Sequence, residues 1–310
     1  MWRRMSIVAL ATLIPVATAG ATATPPVPVK NGSADEFAPA ASSEYLVWAQ
    51  SPHNSTRSTV WAQHAAEAPF KVSPRSVRAY PGGIDGTRLV YQRVRGEQSN
   101  LAFFELATRR QTSAPAGVNT RQWEWDPSIS GDWLLFGRIT RTTDSILLWN
   151  LTTRRRIKLG SIRKGRGRGL TPGYVNGNFA VWERCGTGHV CDVYRYDITL
   201  GTKKAVPSIP GKQDYAPSVT ADGTVYYGRS GRGCGASVQL VKSPVTGAEE
   251  VLYSLPQGED FATTYPVTVP SPPSGLQTTS IYFDRIVCRG QAWDIYRLDD
   301  VTPLPPPPPR

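Results

Sequence analysis

Pro217-Ser218-Val219-Thr220-Ala221-Asp222-Gly223-Thr224-Val225-Tyr226-Tyr227 reads as a proline-opened strand, a turn and a second strand ending in aromatics. Asp-Gly between apolar runs is a strong hairpin signal, because both residues tolerate the backbone angles of a tight turn. The same order recurs along the chain. Pro39, Pro81, Pro127, Pro172, Pro217 and Pro266 open six copies, at spacings of 42, 46, 45, 45 and 49 residues. Turn residues follow, as in Ile84-Asp85-Gly86, Ser130-Gly131-Asp132 and Asn176-Gly177. The strands after them end in Trp48, Tyr91, Phe136, Trp182, Tyr227 and Phe283.

A third strand comes after a polar loop, as in Leu101 to Leu106, Ile146 to Leu151, Val193 to Ile198, Val238 to Ser243 and Trp293 to Leu298. A short basic fourth strand closes most copies, for example Thr152 to Lys158 and Gly201 to Val206. Four short strands in about 45 residues is the period and content of a β-propeller blade. One such sheet cannot bury two apolar faces alone, whereas six around an axis cover one another and leave only short edges. The expected fold is all-β: a six-bladed β-propeller with four antiparallel strands per blade, over residues 24–300. The sixth copy lacks a fourth strand of its own, and the segment from Pro25 to Lys30 is placed to supply it.

The repeat resembles that of TolB-type six-bladed propellers, Pro-x-x-(Ser/Thr)-x-Asp-Gly followed by an apolar strand ending in an aromatic. Pro217 to Tyr227 is the best copy, and the resemblance covers roughly residues 35–300. It implies the fold. It does not choose among the interaction modules, peptidase parts, lyases and hydrolases built on such propellers. The repeats begin directly after an export-like segment, so the Tol-binding N-terminal domain of the namesake is not expected.

Composition agrees with this architecture. The 310 residues include 28 Gly and 27 Pro, which favours turns over long helices. A 40% hydrophobic, 10% aromatic chain is not a disordered one. Only three histidines, His53, His64 and His189, exclude a histidine-rich metal site. Lys+Arg 35 against Asp+Glu 24 gives a net charge of +11, which favours anionic partners.

Residues 1–23 carry Arg3 and Arg4, an apolar run from Ile7 to Val16 and the small-x-small site Ala17-Thr18-Ala19. They are expected to form a cleaved signal peptide, making the protein secreted or cell-envelope located. Residues 301–310, with five consecutive prolines from Pro305, read as a stiff tail. The four cysteines, Cys185, Cys191, Cys234 and Cys288, are expected to form two disulfides in such a compartment. Cys185 with Cys191 and Cys234 with Cys288 is the favoured of three pairings. The Cys-x5-Cys spacing matches no standard zinc pattern, so neither metal nor cofactor is expected.

Arg93, Arg138, Arg184, Arg229 and Arg285 each stand two residues after a terminal aromatic, on the same strand face. They either stack and bond within the blades or form an anion-binding rim. Arg163, Arg166 and Arg168 alternate with glycine in the connection from the third copy to the fourth. Arg95, Arg141, Arg232 and Arg289 lie in loops of the same face, and Asp85, Asp132 and Asp222 in turns of the opposite one. These positions suggest a basic loop face.

No Gly-x-Ser-x-Gly elbow, calcium loop or phosphate loop occurs. Asp126, Asp214 and Glu259 could converge on the axial channel, with Trp125 and Tyr215 as sugar platforms. Carboxylates beside aromatics suit glycoside chemistry, and equally suit turn capping. The leading expectation is therefore a monomeric, non-catalytic binding or scaffold propeller. Its partner would be an anionic cell-envelope polymer or a protein. A carbohydrate-active hydrolase or lyase at the axis is the alternative.

Overall fold

The proline that opens each repeat sits in the innermost strand of a sheet, and in the first five blades a break in regular pairing falls at it or just after it. A computed structural model describes residues 25–53, 55–165, 168–187, 190–231, 236–271, 276–287 and 293–303. Among them the chain forms six antiparallel sheets and no helix.

Blade one is β2 (Asp35–Ala41), β3 (Tyr45–Ser51), β4 (Thr59–His64) and β5 (Phe70–Lys71). Blade two is β6 (Arg78–Asp85), β7 (Arg88–Arg95), β8 (Gln98–Glu105) and β9 (Arg110–Thr112). Blade three is β10 (Trp123–Ser130), β11 (Trp133–Ile139), β12 (Thr143–Asn150) and β13 (Arg156–Arg163). Blade four is β14 (Gly169–Asn176), β15 (Phe179–Cys185), β16 (Cys191–Asp197) and β17 (Thr202–Ala205). Blade five is β18 (Gln213–Val219), β19 (Val225–Ser230), β20 (Val238–Ser243) and β21 (Glu250–Ser254).

Blade six is closed by the other end of the chain. Its order is β1 (Val27–Lys30), β25 (Trp293–Pro303) and β24 (Leu276–Val287), with both β22 (Glu259–Asp260) and β23 (Thr264–Ser271) on the inner side of β24. The segment expected to supply the missing outer strand does so, with Val27 opposite Arg297 and Lys30 opposite Ile295. Lys30 also stitches the blade to its neighbour: Nζ donates to Gln63 at 2.5 Å and lies 4.4 Å over the Trp48 ring. Two boundaries move. The sixth copy carries a longer hairpin, β23–β24, pairing Val269 with Thr278 and Ser271 with Leu276. The strand read as Trp293 to Leu298, in a propeller ending at 300, runs to Pro303, opposite Leu276, because that longer hairpin gives it a partner.

The core lies between blades. Leu89, Tyr91 and Phe104 of blade two pack with Val47 and Val60 of blade one. Leu135 and Leu148 of blade three pack with Val175 and Trp182 of blade four. Each blade thus completes the burial its neighbour needs.

The inner strands of the first five blades alternate between two patterns, and in blade six the break falls earlier, between Asp260 and Thr264. In blades one, three and five the residue before the proline has a positive φ: Ala38 at 50°, Asp126 at 42° and Ala216 at 51°. The bulge falls at that dipeptide, as where Trp125 opposes Gly137 and pairing resumes only at Ser128. In blades two and four the bulge follows the proline, at Gly82-Gly83 and Gly173-Tyr174. A Cβ on Gly82 would stand 2.0 Å from the Pro127 carbonyl oxygen, and one on Gly173 2.4 Å from that of Pro217. Blades two and four therefore approach the next blade closely through glycine.

Candidate axial site

The residue between the terminal aromatic and the repeated arginine also alternates. It is small in the odd blades (Ala49, Gly137, Gly228) and polar in the even ones (Gln92, Glu183, Asp284). The small residues leave room for an opposing aromatic: Phe37 faces Ala49, Trp125 faces Gly137 and Tyr215 faces Gly228. The polar residues reach across to the next blade. The backbone N–H of Ala216 donates to Glu183 Oε2 at 3.0 Å, that of Ala38 to Asp284 Oδ2 at 3.0 Å, and that of Asp126 to Gln92 Oε1 at 3.4 Å. Each even blade thus satisfies the amide of the left-handed residue in the following odd blade.

Ala38, Asp126, Glu183, Tyr215 and Ala216 line a cavity of about 430 Å3 at the axis, on the face of the second-to-third-strand loops. Its floor is closed. The Tyr265 hydroxyl crosses the axis from blade six and bonds both the N–H and the C=O of Ile84 in blade two, each at 3.0 Å. The Tyr174 ring of blade four packs edge-on against Tyr265, with centroids 4.8 Å apart. A smaller cavity of about 220 Å3 lies beyond this plug, on the turn face. The channel is thus two blind cups.

Asp126, Glu183 and Asp260 line the loop-face cup together with Tyr174, Tyr215 and Phe261. Among the described residues lining it there is no lysine or arginine. Glu183 is held by Thr171 Oγ1 at 2.7 Å, and Asp260 accepts from the Tyr215 hydroxyl at 2.5 Å. The Asp126 carboxylate has no bonded partner; only its backbone amide is engaged. It keeps some surface open to the cup, yet lies deep within the molecule. Burial, and secondarily the charge of Glu183, pushes its carboxyl up to about 7. Burial likewise raises Glu183 and Asp284.

Of the carboxylates read from sequence as axial, only Asp126 lines the cup. Asp214 is 1% exposed and bonds Arg229 through both oxygens, at 2.7 and 3.1 Å. Glu259 pairs with Arg285. Trp125 packs over Gly137, whereas Tyr215 does line the cup. Glu183 and Asp260 were missed, although the alternation of Ala49, Gln92, Gly137, Glu183, Gly228 and Asp284 marks the position of Glu183.

The repeated arginines divide. Arg138 bonds Glu124 at 2.9 Å and the Val118 carbonyl at 2.8 Å. Arg229 is held by Asp214 and by Glu249 at 2.9 Å. With Arg285, these three are committed to ion pairs. Arg93 and Arg184 face Ala79 and Leu170 instead of an acid. Arg163 and Arg168 are exposed, and Arg166 lies outside the described residues. On the turn face, Asp85 accepts from the Gly131 amide and Asp222 from Thr224, so these acids cap turns. His53 pairs with Asp35 and His64 with Glu67.

Cys185 and Cys191 form a disulfide across the tip of the β15–β16 hairpin. Cys234, Cys288 and His189 lie outside the described residues, as does the expected signal peptide. Among the described residues no helix is long and apolar enough to cross a membrane. A disulfide accords with an extracellular location.

The fold defines the class, a six-bladed β-propeller. No protein-family profile matches the chain, and no curated protein matches it in sequence. Solved structures share the architecture at low identity. The propeller domain of the Trilobed protease from Pyrococcus furiosus, reported with an open velcro topology, gives a TM-score of 0.52 at 11% identity, covering 89% of this chain and 99% of that one. A propeller from Agrobacterium tumefaciens assigned as TolB gives 0.52 at 14%, covering 87% and 91%. The acylaminoacyl peptidase of Pyrococcus horikoshii gives 0.52 at 10%, covering 88% of this chain but 52% of that one. These likenesses establish the fold alone.

Proposed function

We propose that the chain is a secreted, non-catalytic binding propeller of the TolB type, which takes a small cationic group, such as a protonated primary amine, into its axial cup. The TolB assignment rests on the Pro217 to Tyr227 repeat, and secretion on the N-terminal segment together with the disulfide. The observation that carries the ligand class is the unpartnered Asp126 carboxyl in a blind cup with Glu183 and Asp260 and without a cation. Such a cup repels anions. An ammonium entering it supplies a positive charge to all three carboxylates and the donor that the Asp126 oxygens lack.

The pH dependence follows from Asp126. Its carboxyl is mostly protonated at pH 6 and mostly ionised at pH 8. Affinity for an amine that stays protonated throughout should therefore rise by up to about tenfold between them. Calorimetric titration with Nα-acetyl-lysine methylamide at both pH values tests this, with neutral N-acetylglucosamine as control. Asp126→Asn should weaken amine binding and flatten its pH dependence. Equal affinity for the neutral sugar, or an Asp126→Asn protein that binds the amine unchanged, would refute the reading.

One observation favours a second reading. A carboxyl poised near 7 beside another carboxylate is the arrangement a general acid needs in a hydrolase or lyase. In that case a glycan panel would show turnover, lost in Asp126→Asn while binding persists. Asp214→Asn and Glu259→Gln would act only through stability.

A further inference from the structure

Five arginines that no ion pair holds gather at one place. Arg57 and Arg75 are exposed and line, with Arg78, a cavity of about 430 Å3 where blade one meets blade two. Arg93 and Arg95 line an adjoining cavity of about 370 Å3, and Val77 borders both. No carboxylate lines either cavity among the described residues, and none of the five guanidiniums makes an ion pair there. Glu97, at the tip of the β7–β8 hairpin, is exposed and lines neither.

The register explains why this region differs. In blades three and five an acid three residues before the proline opposes the arginine, Glu124 to Arg138 and Asp214 to Arg229. In blade two the residue opposite Arg93 is Ala79, and Arg93 Nε is buried without a hydrogen-bond partner. A buried donor without a partner costs stability unless a ligand supplies the acceptor. Thr56 lines the first cavity and Ser113 the second, two hydroxyl-bearing residues beside the guanidiniums.

We infer that this double cavity is a binding site for a linear phosphodiester polymer, with successive phosphates seated in the two cavities. Guanidinium forks match tetrahedral oxyanions with paired N–H bonds, which a lysine-lined site would not do. Two neighbouring cavities of one sign call for a ligand whose charge repeats along a chain. The site is separate from the axial cup and shares no lining residue with it.

The test is fluorescence anisotropy with labelled oligothymidylate and labelled poly(glycerol phosphate), from 50 to 200 mM salt. Polygalacturonate, a carboxylate polymer, serves as control. The protein should bind at least one phosphodiester polymer, with affinity falling as salt releases counterions, by a log–log slope of about −0.7 per phosphate neutralised. The polymer preferred distinguishes a nucleic acid from an envelope polymer. Replacing Arg57 and Arg75 together by Glu should reduce affinity at least tenfold and flatten the slope. Lys204→Glu, on the exposed outer strand of blade four, should leave both unchanged. The proposal is overturned if neither phosphodiester binds, if polygalacturonate binds as tightly, or if Lys204→Glu weakens binding as much as the arginine pair. Unchanged melting of the Arg57/Arg75 variant separates lost contacts from lost folding, and Ser76→Asp, which only adds a charge beside Arg75, should weaken binding in the same direction.

Discussion

Arg229 is 3% exposed and sits between two carboxylates. Burial works against its charge, and Asp214 and Glu249 outweigh it, holding its pKa above the ordinary guanidinium value. It also donates to the Tyr227 hydroxyl at 2.7 Å and the Pro207 carbonyl at 3.0 Å. Removing it strands Asp214 in the interior, so Arg229→Ala should cost about 3–5 kcal/mol in urea unfolding. Arg184→Ala, at the matching but exposed position of blade four, should stay within about 0.5 kcal/mol. Equal losses at the two sites would refute this division of the repeat. The division is not legible from arginine spacing alone. Asp214 is the counterpart of Glu124, not of Asp126, because both stand three residues before the proline and oppose the arginine. Asp126 occupies the left-handed position instead, and only pairing register reveals that.

At the level of strands, the architecture was readable because each local signal repeats. The proline, the Asp-Gly or Asn-Gly turn and the aromatic strand end all recur at one period, so a weak copy such as the first is carried by the others. Closure was legible from the missing strand and the segment left over to supply it, since β1 itself has no repeat signature; the geometry places it beside β25. Without β1 the hydrogen-bonding edge of β25 would be bare, a template for another chain. A chain starting at Asn31 should therefore melt lower, by about 2–4 °C for each kcal/mol lost, and self-associate in size-exclusion chromatography. A monomeric truncation with unchanged melting would show that β1 is decoration. Gly82 and Gly173 illustrate the limit of sequence reading. Each follows a proline and looks like a turn residue, yet each serves a close approach between blades.

For the molecule as a whole, the six-fold repeat hides a three-fold one. Left-handed residue, small residue and opposing aromatic mark the odd blades, while the polar residue that bonds the next blade marks the even ones. The working unit is a pair of blades, in which the even blade's polar residue bonds a left-handed residue, Ala38, Asp126 or Ala216, that lines the cup. Tyr265 breaks the symmetry by crossing the axis. Tyr265→Phe should cost about 1–3 kcal/mol, because it leaves the buried N–H and C=O of Ile84 unsatisfied, while amine affinity in the cup is retained. No loss of stability would mean the plug is held by ring packing alone. The latch carries a consequence for attachment. Ile286, at the end of β24, pairs with the cup-lining Asp260 and with Trp293, so β25 runs away from the cup's side towards Pro303, and the antiparallel β1 places Val27 towards that same far side. A fusion partner, tag or immobilising surface joined next to either strand would hold the propeller by its back, with the cup and the arginine-lined cavities facing outward.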